Sequence, residues 1–197
     1  MTFIAATGNP GKLKEFVRIL TPLGHQVLSQ KEANVHCSPE ETGHTFEENA
    51  RIKARAVCDA TNMPVIADDS GLCVDALDGA PGIYSARYAE KNATDRDRIN
   101  KLLSALREVP EGKRTAHFVS VICCIFPDGR EIVARGECEG TIAFAQDGVD
   151  GFGYDPIFVE KSTGKTFANL SASEKDAVSH RGKSMRAFAT DLIKMKK

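Results

Sequence analysis

The chain has 197 residues, 42% hydrophobic and 27% charged, the make-up of a soluble globular protein with room for one α/β domain or a compact two-lobed unit. Lys and Arg number 26 against 27 Asp and Glu, a net charge of −1. That balance argues against a sequence-independent nucleic-acid binder, which needs a basic excess to neutralise phosphates, but leaves room for a small phosphorylated ligand in a locally basic pocket. Six cysteines (37, 58, 73, 123, 124 and 138) form no C-x-x-C pair and lie dispersed, several in apolar runs. They read as buried thiols in a reducing compartment rather than as zinc ligands or a disulfide framework. Neither a signal peptide nor a membrane-spanning segment can be argued, so a soluble, cytoplasmic protein is expected.

Thr2 to Ala6 reads as a short buried strand, followed by Thr7-Gly8-Asn9-Pro10-Gly11-Lys12 and a helix opened by Pro10. Leu13, Phe16, Val17 and Leu20 recur along that helix at helical spacing. A helix start offers unpaired N–H groups and partial positive charge, which suits phosphate oxygens, and Lys12 adds a full charge in the first turn. The segment is not a Walker A loop, and by itself such a turn is more often only a turn.

Glu40 and Glu41 lie in Pro39-Glu40-Glu41-Thr42-Gly43, the kind of acidic stretch that supplies one or two carboxylates to magnesium. Thr45 and Glu48 have capping-box spacing and open a second helix, with Phe46, Ala50, Ala54, Val57 and Cys58 as its core stripe. Lys53 lies seven residues after Phe46, on the core-stripe face. Its ammonium either snorkels to the surface or meets a phosphate at the end of the stripe.

Val65 to Ala67 and Leu72 to Val74 read as strands around Asp68-Asp69-Ser70-Gly71, two adjacent acids with a glycine turn behind them. This is a candidate metal and base site; on an extended strand the two acids face opposite ways, one to the site and one to the scaffold. A third helix is expected over about Asp95 to Leu106. His117 to Phe126 is apolar on both alternating faces and is placed centrally in a sheet, with Pro127-Asp128-Gly129 turning it into Glu131 to Cys138.

Gly151-Phe152-Gly153-Tyr154-Asp155-Pro156 precedes a strand at Ile157 to Val159, and its glycines would let the backbone approach a flat ring that Phe152 or Tyr154 could stack on. Ser179-His180-Arg181-Gly182 begins a last helix near Arg181 that buries Met185, Phe188, Ala189 and Leu192. His180 and Arg181 can donate to a carbonyl oxygen, and Lys175 lies five residues before His180. Early alternation of helices and strands with a late hairpin predicts an α/β fold with a mixed central sheet flanked by helices.

Taken together, these segments and Gly79-Ala80-Pro81-Gly82-Ile83-Tyr84-Ser85-Ala86-Arg87 follow one another as in a known family. The chain resembles the inosine-triphosphate pyrophosphatases, the Ham1 or RdgB-like non-standard purine NTP pyrophosphatases. The resemblance spans nearly the whole chain and implies one domain over residues 1–197, with two lobes and an active-site cleft between them, usually as a homodimer. It implies magnesium-dependent cleavage of dITP, ITP, XTP and dXTP between the α and β phosphates, giving a monophosphate and pyrophosphate and cleansing the nucleotide pool.

It further implies that Thr7, Gly8, Asn9, Pro10, Gly11, Lys12 and Lys53 bind phosphate, that Glu40 and Asp69 hold magnesium, and that Asp69 is the catalytic base. Ser70 contacts substrate, while Phe152, Gly153, Tyr154, Asp155, Lys175, His180 and Arg181 form the base-side pocket. Glu40 against Glu41, and Asp68 against Asp69 as the base, are left open by the residues themselves. The implied partner is a small nucleotide, with no nucleic acid and no membrane. A related Maf-type pyrophosphatase is disfavoured by Ser179-His180-Arg181, and a nucleotide sensor without turnover by the paired Asp68-Asp69.

Overall fold

The computed structural model describes residues 1–90 and 93–195. Helix and strand alternate first, as β1 (Thr2–Ala5), α1 (Pro10–Leu20), β2 (Gln26–Ser29), α2 (Phe46–Thr61) and β3 (Val65–Val74). Then come α3 (Asp95–Ala105), β4 (Thr115–Ile125), β5 (Glu131–Ile142), β6 (Phe158–Glu160), α4 (Ala172–Val178) and α5 (His180–Met195). The strands form one six-stranded sheet in the order β2-β1-β3-β4-β5-β6. β1 runs parallel to β2 from Thr2↔Gln26 to Ala5↔Ser29, and parallel to β3 at Ile4↔Val65 and Ala5↔Ile66. β5 and β6 are antiparallel through Gly140↔Glu160 to Ile142↔Phe158, so the sheet is mixed, as the pattern of elements predicts. β4 lies inside the sheet, which accounts for its unbroken apolar run. Among the described residues no helix is long and apolar enough to cross a membrane.

The chain divides into two compact units. The first comprises Met1–Asp69, Ser120–Gly136 and His180–Lys197; the second comprises Ser70–Val119 and Glu137–Ser179.

In the first unit the strand period of two sorts side chains into two cores. Phe3, Ala5, Ile66, Ile122 and Cys124 face Phe16 and Leu20 of α1 and Met185, Phe188 and Leu192 of α5. Ile4, Ala6, Val65, Ala67, Cys123 and Ile125 face Ala50, Ala54, Val57 and Cys58 of α2. Cys123 and Cys124 thus point into opposite layers. The small residues of α2 let that helix lie close on the sheet. Phe188 is fully buried and meets Phe3 edge-on at 5.8 Å, so Phe188→Ala would cost about 3–5 kcal/mol.

The second unit packs Ile99 and Leu102 of α3 with Phe118, Cys138, Ile142, Phe158 and Phe167. Ring centroids of Phe118, Phe158 and Phe167 lie 4.7–5.8 Å apart. Arg114, 2% exposed, is tolerated there because its guanidinium donates to the carbonyls of Leu106, Val109, Ile142 and Ala143.

Several local expectations need correction. Val65–Val74 is one continuous strand, not two strands around a turn. Side chains from both faces of the sheet neutralise Asp68 and Asp69, so the acids do not force the backbone out of the ladder. β2 and α4 are additional elements; β2 has only four residues, and α4 is set by a Ser171–Glu174 capping box. Val17 is 39% exposed and lies outside the core. Thr45 caps α2 by accepting from Glu48 N, but the Glu48 carboxylate takes His44 N, so the box is shifted by one residue at its second bond.

Candidate active site

β1 has β2 on one side and β3 on the other, so the carboxyl ends of β1 and β3 border a point where the winding reverses. In open parallel sheets such a point is where ligands bind. Because Ala5 pairs with Ile66, Ala67, Asp68 and Asp69 run past the end of β1, where Thr7–Lys12 turns into α1. The turn is tightly built. Asn9 N–H donates to Thr7 Oγ1, and Asn9 Oδ1 accepts from Gly11 N–H and Lys12 N–H at 2.8 and 3.2 Å. Two amides expected to be unpaired are therefore already capped, and the cationic character of the turn rests chiefly on Lys12. A cavity of about 650 Å³ adjoins the turn, lined by Thr7, Gly8, Asn9 and Pro10 and by Ser29 to Lys31 and His36 to Ser38.

Asp68 and Asp69 point to opposite faces of β3, in step with Ile66 and Ala67 respectively. Asp68, fully buried, faces α1 and α5. One oxygen lies 2.7 Å from Lys12 Nζ and 3.4 Å from the Arg181 guanidinium, while the other accepts from Ser120 Oγ at 2.6 Å. Ser120 in turn meets Ser184 Oγ at 2.8 Å. Arg181 also pairs with Glu15 of α1, itself 5% exposed. Burial alone would raise the Asp68 pKa, but the charges of Lys12 and Arg181 and the hydrogen bonds outweigh it and hold the carboxyl well below the usual range. Burial pushes the Lys12 ammonium down, against the pull of Asp68.

Asp69 faces α2. Its Oδ1 accepts from Lys53 Nζ at 2.8 Å, and the same ammonium lies 3.1 Å from Glu41 Oε1. Asp69 Oδ2 is buried and accepts no hydrogen bond from the protein. Burial raises the Asp69 pKa despite Lys53, whereas Asp69 and Glu41 outweigh burial at Lys53 and keep it charged. Of the two neighbouring glutamates, it is Glu41 that reaches this cluster; Glu40 is exposed. The Glu41 loop is tied down by Gly43 N–H, which donates to Asn49 Oδ1 at 2.9 Å.

His180 and Arg181 open α5 and are 4% and 2% exposed. The first turn of α5 lies directly on β5, and only a glycine fits beneath it. A Cβ on Gly136 would stand 2.2 Å from the His180 carbonyl oxygen and 2.5 Å from Ser184 N.

The second unit carries the Phe152 loop. Asp155 Oδ2 accepts from Phe152 N–H at 2.9 Å and from Lys175 Nζ at 2.6 Å, and the Lys175 ammonium stands 4.8 Å from the Phe152 ring centroid. Gly151 has φ +83°, and a Cβ there would strike Asp155 at 2.1 Å. Tyr154 donates its hydroxyl to the Ser85 carbonyl at 2.9 Å, joining the loop to the turn at Gly82–Arg87. Another groove of this unit, about 680 Å³, is lined by Asp75, Glu137, Glu139 and Glu160 with His117 and Lys161. Its acidic lining would repel a polyphosphate and it holds none of the predicted site residues.

The structure therefore gathers Lys12, Asp68 and Arg181 on one face of β3 and Lys53, Asp69 and Glu41 on the other. Phe152, Asp155 and Lys175 meet one another in the second unit, and Ser70 continues β3 there. Glu15, Ser120 and Ser184 were missed. The same reasoning that singled out Lys53 applies to Glu15, a charge beside Phe16 in the apolar stripe. Ser120 is the one hydroxyl within the apolar run from Phe118 to Phe126.

Fold and site together define a class: an α/β protein with cations and acids collected where its parallel strands reverse their winding. The Ham1 family model matches residues 3–191. A dITP/XTP pyrophosphatase of Erwinia tasmaniensis is 52% identical over 184 residues, 92% of this chain and 89% of that protein. One from Yersinia pseudotuberculosis is 51% identical over 185 residues, 93% of both chains. The structure of the Staphylococcus aureus Ham1 protein superposes with a TM-score of 0.87 at 42% identity, covering 100% of both chains. The chain belongs to the Ham1 family.

Proposed function

We propose that the protein is a magnesium-dependent pyrophosphatase that cleaves dITP, ITP, XTP and dXTP to nucleoside monophosphate and pyrophosphate, as a cytoplasmic homodimer. The observation that carries this reading is the pair of lysine–carboxylate clusters on the two faces of β3, Lys12 with Asp68 and Lys53 with Asp69 and Glu41. Each ammonium group lies within ion-pair distance of a carboxylate, an anionic acceptor of the kind a phosphate oxygen also is. Relatives at 52% and 51% identity, both named dITP/XTP pyrophosphatases, support the choice of substrate.

The donor set fits magnesium. The buried Asp69 Oδ2 has no hydrogen-bond donor, and Glu41 shares its cation. Among the described residues no three His, Cys, Asp or Glu side chains converge, which suits an ion that takes one or two carboxylates and completes its shell with phosphate and water. Asp69 and Glu41 would hold it, the latter in place of the expected Glu40. Once bound, it supplies charge to the leaving pyrophosphate and lowers the pKa of water.

Thr7 to Lys12 and Lys53 bind the phosphates and neutralise charge that develops as the bond to the α phosphorus breaks. Asp69 takes the proton from the attacking water, whereas Asp68 is paired with Lys12 and Arg181 and acts as their anchor. Ser70 contacts the substrate. His180 and Arg181 donate to the six-position carbonyl of hypoxanthine or xanthine; adenine's amino group would leave those buried donors unmatched, a penalty that can reach about 10⁴-fold. Phe152 supplies a ring face for the base, worth about 1–3 kcal/mol, with Gly153, Tyr154, Asp155 and Lys175 shaping its loop. Guanine shares the carbonyl, and xanthine carries an oxygen of similar size where guanine has its two-amino group, so guanine is rejected by mismatched hydrogen bonding at that position rather than by bulk.

The test is a panel of dITP, XTP, dGTP and dATP at low concentration, with magnesium or with a chelator. Turnover of dITP and XTP alone, abolished by chelation, is expected. Equal turnover of dGTP, or activity in the chelator, would contradict the reading.

A further inference from the structure

We propose that Asn49 is a positioning residue that sets Glu41 in place to hold the metal, an inference that rests on the reading that Glu41 and Asp69 are its ligands. Asn49 lies early in α2 and is fully buried, in the stripe that carries Phe46, Ala50 and Ala54. Asparagine is a poor helix former, because its short amide competes for nearby backbone groups, and inside an apolar stripe it must find partners of its own. Lys53 follows one turn later on the same side of the helix.

Only one end of the Asn49 amide is used. Its Oδ1 accepts from Gly43 N–H at 2.9 Å, while Nδ2, also buried, meets no acceptor among the described residues. An amide kept for stability alone would pair both ends, since an unmatched buried donor is destabilising. The residue is accounted for by what its oxygen holds.

Gly43 is pressed against α2 at this point. A Cβ on it would stand 2.6 Å from Glu48 Cβ and 2.7 Å from Asn49 Oδ1, so the loop passes over the helix with no room for a side chain. The neighbouring tie, from His44 N–H to the Glu48 carboxylate at 2.6 Å, is exposed, where water competes for both partners. The Asn49 bond is the more sheltered of the two. Glu41 stands two residues before Gly43, with Oε1 3.1 Å from Lys53 Nζ, and the same ammonium meets Asp69 Oδ1 at 2.8 Å. One helix thus fixes the loop backbone through Asn49 and faces the loop's carboxylate with Lys53. A carboxylate serves a metal only within a fraction of an ångström of its place, so the groups that orient it set the affinity along with it.

The experiment titrates Mn²⁺ into the whole protein by calorimetry and follows thermal unfolding without metal. The variants are Asn49→Ala, Asn49→Asp, Glu41→Gln, and Asn49→Ala combined with Glu41→Gln. Asn49→Ala should weaken Mn²⁺ binding by about fivefold or more. Asn49→Asp keeps the acceptor for Gly43 N–H and gives up only the unpaired donor, so it should bind near the parent value or tighter. The double variant should bind no more weakly than Glu41→Gln alone, because Asn49 acts through Glu41; a merely structural loss would multiply with it. If Asn49→Ala does not fold, Gly43→Ala takes its place, since its methyl would displace the loop and leave the amide intact. Parent-like affinity in Asn49→Ala, an equal loss in Asn49→Asp, or losses that multiply in the double variant would overturn the role of Asn49 and leave Glu41 as a ligand. Unchanged affinity in Glu41→Gln would overturn the metal reading, and this inference with it.

Discussion

Lys12 Nζ lies 2.7 Å from Asp68 Oδ2, the same oxygen that faces the Arg181 guanidinium. A single buried carboxylate on β3 thus ties the start of α1 to the start of α5, with Ser120 and Glu15 completing the set. Removal of Asp68 would leave two buried cations short of a partner. Asp68→Ala is expected to cost about 3–5 kcal/mol of stability, read by urea unfolding. Asp68→Asn keeps the Ser120 contact and should lose less. Stability unchanged in both would show that the cluster does not anchor these helices.

The second cluster predicts which glutamate matters. Glu41→Gln should weaken binding of Mn²⁺ or Mg²⁺, followed by calorimetry, by about tenfold or more, while Glu40→Gln leaves it near the parent value. Asp69→Asn should retain the fold and lose turnover. The opposite ranking of the two glutamates would move the metal to another part of the loop.

Both clusters follow from the alternation of side chains along an extended strand, and that much was legible in the sequence. Asp68 and Asp69 are adjacent, so they had to face different layers. The apolar run from His117 to Phe126 likewise marked an interior strand. The continuity of β3 was not legible, because Asp-Asp-Ser-Gly has turn composition and the cations from α1, α2 and α5 that pair with the two acids are distant in the sequence. That Glu41 is the glutamate that reaches Lys53 was not legible from spacing, since the loop is oriented by the bond from Gly43 N–H to Asn49 of α2.

Gly136 lies beneath the start of α5 without a side chain of its own. Gly136→Ala would set a methyl 2.2 Å from the His180 carbonyl. The first turn of α5 would have to shift, at about 1–3 kcal/mol of stability and with reduced activity on dITP. A lowered melting temperature with unimpaired kcat/KM would mean that the start of α5 does not serve the reaction.

The cysteines give a check on the layers. Burial pushes the Cys123 thiol up to about 12, raises Cys58, and raises Cys124 well above its ordinary value. In the native protein near pH 8, brief alkylation followed by mass spectrometry should therefore mark the partly exposed Cys37 and Cys73, with Cys58, Cys123, Cys124 and Cys138 labelled only after unfolding. Early labelling of Cys123 would contradict the packing of α2 on the sheet.

The most direct test of the central claim is the fate of dITP turned over with magnesium in ¹⁸O-labelled water, with the products separated and weighed. Attack at the α phosphorus predicts dIMP carrying the label and unlabelled pyrophosphate, with neither formed by Asp69→Asn. Labelled orthophosphate with dIDP, or label in the pyrophosphate, would place the attack on a different phosphorus and contradict the account.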